Sequence, residues 1–204
     1  MYENAFKKLE LEEVASLLDT YNPLFDGLAF DPLETTVMAQ KISFYPGYTY
    51  YDVADYSCMP PIHRYVIDGP KSKTVLDWTN DPIYQLNQTI HFVLDEETVS
   101  DYIRFFFSHV RGKKGQFMLA ESIDDINWRD DPPPAARKTI GEMLKPLNDV
   151  QAISDSGFAT TISVMFKDSL FQCDLVISQN GLIEMSNEKL LVEDMPVMDD
   201  IIEH

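Results

Sequence analysis

Between residues 159 and 186 apolar and polar side chains alternate with a period of two, the pattern of extended strands that bury one face. Ile162, Val164 and Phe166 alternate with Thr161, Ser163 and Met165. After the turn Lys167-Asp168-Ser169, the residues Phe171, Cys173, Leu175 and Ile177 alternate with Gln172, Asp174 and Val176. Asn180-Gly181 is a two-residue hairpin signal, since both residues tolerate positive φ, and it leads into Leu182–Met185. The segment therefore predicts a three-stranded antiparallel meander over about 159–186 with one wet face.

Helical patterns stand beside it. Residues 3–21 place Phe6, Leu9, Val14, Leu17 and Leu18 near one face and stop at Asn22-Pro23. Asp95 suits the N-cap of a helix over 96–110, whose C-terminal end carries Arg111, Gly112, Lys113 and Lys114. Pro132-Pro133-Pro134 opens a third helix over 132–145, with Ala136, Ile140, Met143 and Leu144 inward. Thr35 to Val53 reads as a hairpin around Pro46-Gly47, residues 54–62 as a loop, and 63–67, 74–78, 89–94 and 116–121 as short strands. Neither of the two later helices sits in a repeating βαβ rhythm, so the predicted class is α+β: an antiparallel sheet packed against two or three helices. A single domain over 1–192 with an acidic C-terminal tail over 193–204 fits this order.

Composition narrows the partners. The 204 residues hold 34 Asp and Glu against 16 Lys and Arg, a formal net charge of −18. Residues 1–94 carry 13 acids and 6 bases, residues 95–134 carry 9 and 5, and residues 135–204 carry 12 and 5, so the excess is not a tail on a neutral domain. Nucleic acid and anionic membrane both require concentrated positive charge and are disfavoured as partners. No run approaches the roughly 18 apolar residues that a membrane helix needs. The first eight residues lack the apolar run of a secretory signal, and two cysteines, Cys58 and Cys173, cannot make a disulfide framework. A soluble, cytoplasmic protein with free thiols is the expectation.

Catalytic signatures are missing. Phosphate-binding glycine loops, HExxH, GxSxG, paired CxxC and EF-hand spacings do not occur, and no cofactor or metal site is predicted. The acids Glu193, Asp194, Asp199, Asp200 and Glu203 match no calcium loop. Two groups of residues could still bind a ligand. Arg104, Arg111, Lys113 and Lys114 put a quarter of the cations within eleven residues, an anion site or a complement to a helix dipole. Tyr51, His63, Arg64 and Tyr65, with Trp78, could line a small-molecule pocket, since tyrosine offers rigid area with a polar tip. On a helical wheel Val99, Ile103, Phe106 and Val110 form the inner stripe of 96–110, Asp101 is placed to pair with Arg104, and Phe105 falls well off the stripe, either covered by a further element or exposed in a contact patch.

The leading functional expectation is a non-catalytic binding module that engages a protein partner with a basic surface. A small-molecule-binding domain or enzyme with a Tyr/His/Arg-lined pocket is the first alternative. An acidic mimic of DNA, with carboxylates in two rows at phosphate spacing, is the second. The sequence sets no oligomeric state.

Overall fold

The computed structural model describes residues 5–153 and 157–198. It is α+β, with two antiparallel sheets and four α-helices, and its contacts group the chain into two compact units. One comprises residues 1–77 and 81–93, the other residues 78–80 and 94–204, where the sequence suggests a single domain over 1–192.

The first unit is built on a five-stranded sheet in sequential order: β1 (Lys7–Lys8), β2 (Thr35–Lys41), β3 (Thr49–Asp55), β4 (Ile62–Asp68) and β5 (Lys73–Leu76). Helix α1 (Leu11–Tyr21) is shorter than the predicted 3–21. A capping box between Glu10 and Glu13 fixes its start, and Lys7–Lys8 pair with Ala39 and Met38 instead of continuing the helix. Phe6, expected on the helix's inner face, is accordingly 46% exposed and meets the edge of Tyr50. Val14, Leu18 and Tyr21, at i, i+4 and i+7, carry the buried stripe and join Phe25, Phe30, Val37, Val53 and Val66 in one core.

Helix α2 (Asp81–Thr89) ends where a strand is expected over 89–94, and residues 90–94 form neither helix nor strand. Its first turn holds Asp81-Pro82, and Ile83, Leu86 and Asn87 recur at helical spacing on the buried side. The alternation of Ile90, His91 and Phe92 that suggests a strand belongs to a segment outside the sheets, in which Val93 donates to the carbonyl of Phe44 and the Phe92 ring packs on Tyr45. Asn87 is buried and accepts the hydroxyl of Tyr45 at 2.5 Å.

The second unit contains α3 (Val99–His109), β6 (Phe117–Leu119), α4 (Pro134–Met143), β7 (Gln151–Ile153) and the predicted meander, β8 (Gly157–Phe166), β9 (Ser169–Ser178) and β10 (Ile183–Val192). The sheet order is β10-β9-β8-β6, with β7 also paired to β8. Asp95 holds the entry to α3, accepting from the backbone of Glu97 and Thr98, while its own N–H donates to the Thr98 hydroxyl. Phe105, Phe106 and Phe107 are all buried, so α3 is covered on more than one side, and the Phe105 ring stacks against His109 at 4.4 Å. The Tyr102 hydroxyl donates to the carbonyl of Gly181 at 2.6 Å, tying the helix to the β9–β10 turn.

Two expectations for the last third need correction. Strand β10 runs to Val192, well past Met185, with register shifts around Asn187, which sits at a φ of 53°. The meander's outward side is only partly wet: Met165 and Leu170 pack there with Ile140, Leu144, Met195 and Val197. Residues 193–198 are thus no solvated tail. Met195 donates its N–H to Asp168, Val197 bridges to Trp128, and Met198 donates to Asn127. The acids Asp199, Asp200 and Glu203 lie outside the described residues. This docking predicts that Met195→Ala opens a cavity beside Met165 and Leu170 and destabilises the protein by roughly 2–5 kcal/mol in urea denaturation. A solvated segment would lose almost nothing.

Candidate functional site

The two residue groups singled out in the sequence meet different fates. Strand pairing puts Val37, Val53 and Arg64 on one face of the first sheet, with Tyr51 and Val66, and Asp52, His63 and Tyr65 on the other. Tyr51 packs edge-on against Tyr21 within the α1 core, and Arg64 donates to the carbonyl of His63. His63 and Tyr65, both half-buried, belong to an aromatic cluster with the buried Tyr50 and the exposed Tyr56. Trp78 falls in the second unit. Consecutive residues of a strand cannot share a face, so Tyr51, His63, Arg64 and Tyr65 do not line one pocket.

Within the cluster, Nδ1 of His63 and Oδ1 of Asp52 share a hydrogen bond of 2.8 Å. The Asp52 carboxylate raises the His63 pKa, against a smaller opposing effect of burial. A group whose folded pKa is raised stabilises the fold fully below its unfolded value, about 6.5, and loses that contribution as pH climbs through the folded value. Asp52→Asn is therefore expected to lower the His63 pKa seen by proton NMR, and to cost more stability at acidic than at alkaline pH. An unshifted His63 titration in the variant would show that Asp52 is not the cause.

The basic island is also divided. Arg104 is engaged by Glu121 through Nε at 2.6 Å and Nη2 at 2.9 Å, and by Asp101 at 3.3 Å. Its hydrogen bonds hold the Glu121 carboxyl below its ordinary pKa. This cation is spoken for and leaves the proposed anion set. Lys113 is exposed and does not line the cleft described next.

Arg111 and Lys114 do line a cleft of about 770 Å³ in the second unit, and Arg129 and Lys167 join them there. Four separate stretches of chain deliver these cations. Arg111 follows the end of α3, where its N–H donates to the carbonyl of Trp78 and its guanidinium lies 3.8 Å from the centre of the indole ring. Lys114 sits in the tight Gly112–Gly115 loop, closed by two backbone hydrogen bonds. Gly115, at a φ of 138°, would bring a Cβ within 3.2 Å of the Phe166 ring, so this loop requires glycine there. Arg129 donates its N–H to Pro196, and Lys167 occupies the β8–β9 turn.

Asp168 and Asp194 also border the cleft, leaving the cations in excess by four to two. Arg129 pairs with the exposed Asp130 at 3.4 Å. Among the described residues no carboxylate reaches ion-pair distance of Arg111, Lys114 or Lys167. The Arg111 Nε is buried without a hydrogen-bond partner among those residues. Backbone strain gathers at the same place. Five described non-glycine residues have left-handed φ; Lys167 at 55° and Asp194 at 54° line the cleft, and Trp78 at 68° backs Arg111.

Other chemistry is sparse. Cys173 is buried, which pushes its thiol up to about 11, and Cys58 is half-buried with its sulfur 4.0 Å from the Asp55 carbonyl. Among the described residues no three His, Cys, Asp or Glu side chains form a group able to hold a metal, and no helix is long and apolar enough to cross a membrane. Comparison with family models, with curated proteins and with solved structures returns no match.

Arg129 and Lys167 went unrecognised in the sequence because nothing local marks either of them. They meet Arg111 only through the fold of the β8–β9 turn and the docked segment after β10. The left-handed backbone at Lys167 costs an L-residue roughly 1–2 kcal/mol, more than the roughly 0.5–1 kcal/mol that glycine loses through its freer unfolded chain. Lys167→Gly is expected to raise the unfolding free energy by about 0.5–1 kcal/mol while removing one cation from the cleft. Urea denaturation of the variant measures the first effect.

Proposed function

We propose that the protein is a non-catalytic binding protein whose second unit takes an anionic ligand in the cleft bordered by Arg111, Lys114, Arg129 and Lys167. The observation that carries this reading is the convergence of four of sixteen cations on one concavity of a chain with a net charge of −18. Elsewhere some cations are held by carboxylates, as in Arg104 with Glu121, Lys73 with Asp68 and Arg137 with Asp124 and Asp131, while others, such as Lys8, Lys71 and Lys189, stand apart along the chain without such a partner among the described residues. At the cleft three cations without a carboxylate partner face one concavity, and Lys167 is presented from a left-handed backbone, its ammonium 5.8 Å from the centre of the Phe166 ring.

The surrounding negative field selects among anions. A polyanion such as nucleic acid would meet the carboxylates of the whole exterior, whereas a compact ligand meets chiefly the cations of its site. The even spread of acid supports a basic protein partner only in general terms, and it supports mimicry of DNA no more specifically. The cleft supports a ligand by named groups. The Tyr50, Asp52, His63 and Tyr65 cluster favours a second small-molecule reading, since an oriented imidazole is half-exposed there. The cleft, where a concavity and four cations coincide, is preferred.

Calorimetric titration with inorganic phosphate at low ionic strength tests the reading. Saturable binding that weakens with added salt is expected, and Lys167→Glu should reduce affinity by at least about tenfold, or 1.4 kcal/mol. Absence of binding, or affinity unchanged by the charge reversal, would overturn it.

A further inference from the structure

The geometry points to an amphipathic organic anion as the occupant of the cleft, with its charged head among the cations and its apolar body against a methionine wall. This inference rests on the anion-binding reading and adds the chemical class of ligand. Three of the chain's nine methionines, Met118, Met195 and Met198, border the cleft together with Val197 and Pro196. Met195 and Val197 are anchored in the core, while Met118 is half-buried and Met198 is 48% exposed.

A bare phosphate or sulfate would use the cations and leave this wall facing water. A cleft of about 770 Å³ is also far larger than an inorganic anion and falls within the range typical of organic ligands, roughly 300–1,000 Å³. Methionine suits an apolar body of variable shape because its unbranched, polarisable side chain adapts to what it contacts. The charged end is prepared separately. Trp78 covers one face of the Arg111 guanidinium, and stacking rather than a carboxylate holds it there, which keeps its charge available. Asp168 and Asp194 add acceptors at the border, suited to a hydroxyl or amide on the ligand rather than to further negative charge.

The two tryptophans of the chain provide the readout. Trp78 stacks on Arg111, and Trp128 bridges to Val197, so both touch residues that line the cleft. Intrinsic fluorescence of the intact protein, supported by calorimetry, is titrated with octyl phosphate below its micellar concentration, with inorganic phosphate and with octanol. Octyl phosphate is expected to bind at least roughly tenfold more tightly than either of the other two, the equivalent of burying about two methylenes beyond the head group. Met198→Ser, a change at an exposed side chain, should narrow the gap between octyl phosphate and phosphate, and Lys167→Glu should weaken both. Equal affinity for octyl phosphate and phosphate would overturn the amphipathic assignment and leave the anion site standing. Octanol binding as tightly as octyl phosphate would overturn both, and so would the failure of all three to bind.

Discussion

Pairing of β8 with β9 is the constraint from which the second unit and its cleft follow. The register runs without interruption from Gly157 opposite Ser178 to Phe166 opposite Ser169. It sets Met165 and Leu170 side by side on one face, where α4 and the segment after β10 dock. It also fixes the Lys167 turn at the end of the hairpin, beside the residues that Arg129 and Met195 reach through backbone hydrogen bonds. A slip of one residue would reverse every side chain on a strand and dismantle core and cleft together.

Charge is organised on two scales. Over the whole chain carboxylates dominate, and such surface pairs as Lys7 with Glu13, Lys73 with Asp68 and Lys138 with Glu142 bring modest energetic return. At the cleft the matching is incomplete, and the backbone adopts unfavourable left-handed conformations at two of its lining residues. The left-handed conformations run against stability alone. Such conformations gather where a protein holds something, and here they coincide with a concavity bordered by four cations.

What could be read from the sequence followed the range over which each signal acts. The meander was legible because alternation and the Asn180-Gly181 turn act within a few residues. The cores of α1, α3 and α4 were legible through helical spacing, and Asp101 with Arg104 was correctly placed at i+3. Boundaries failed where tertiary pairing competed: Lys7–Lys8 joined β2, and Asp81–Thr89 became a helix while the short alternation after it stayed outside the sheets. The pocket proposed around Tyr51, His63, Arg64 and Tyr65 failed for a simpler reason, since strand geometry divides neighbours between faces. Arg111 and Lys114 share one connection and border one cleft, whereas Arg104 found Glu121, seventeen residues away, and Lys167 arrived from another hairpin. The fate of Met195 and Val197 was invisible for the same reason: an acidic stretch with scattered apolar residues reads as solvated until the groove that receives it is known.

The irregular course of β10 bears on how molecules of this protein behave toward one another. It is the outer strand of its sheet, ten residues long, and a regular edge of that length would invite a neighbour's backbone to extend the ladder. The register shifts between Ser186 and Lys189 and again before Val192, with Asn187 in a left-handed conformation, break the row of free donors and acceptors. Glu184, Glu188 and Lys189 further oblige any intruding strand to desolvate charge. At high concentration the chain is thereby guarded against edge-to-edge fibre growth, even though its longest hairpin lies directly alongside.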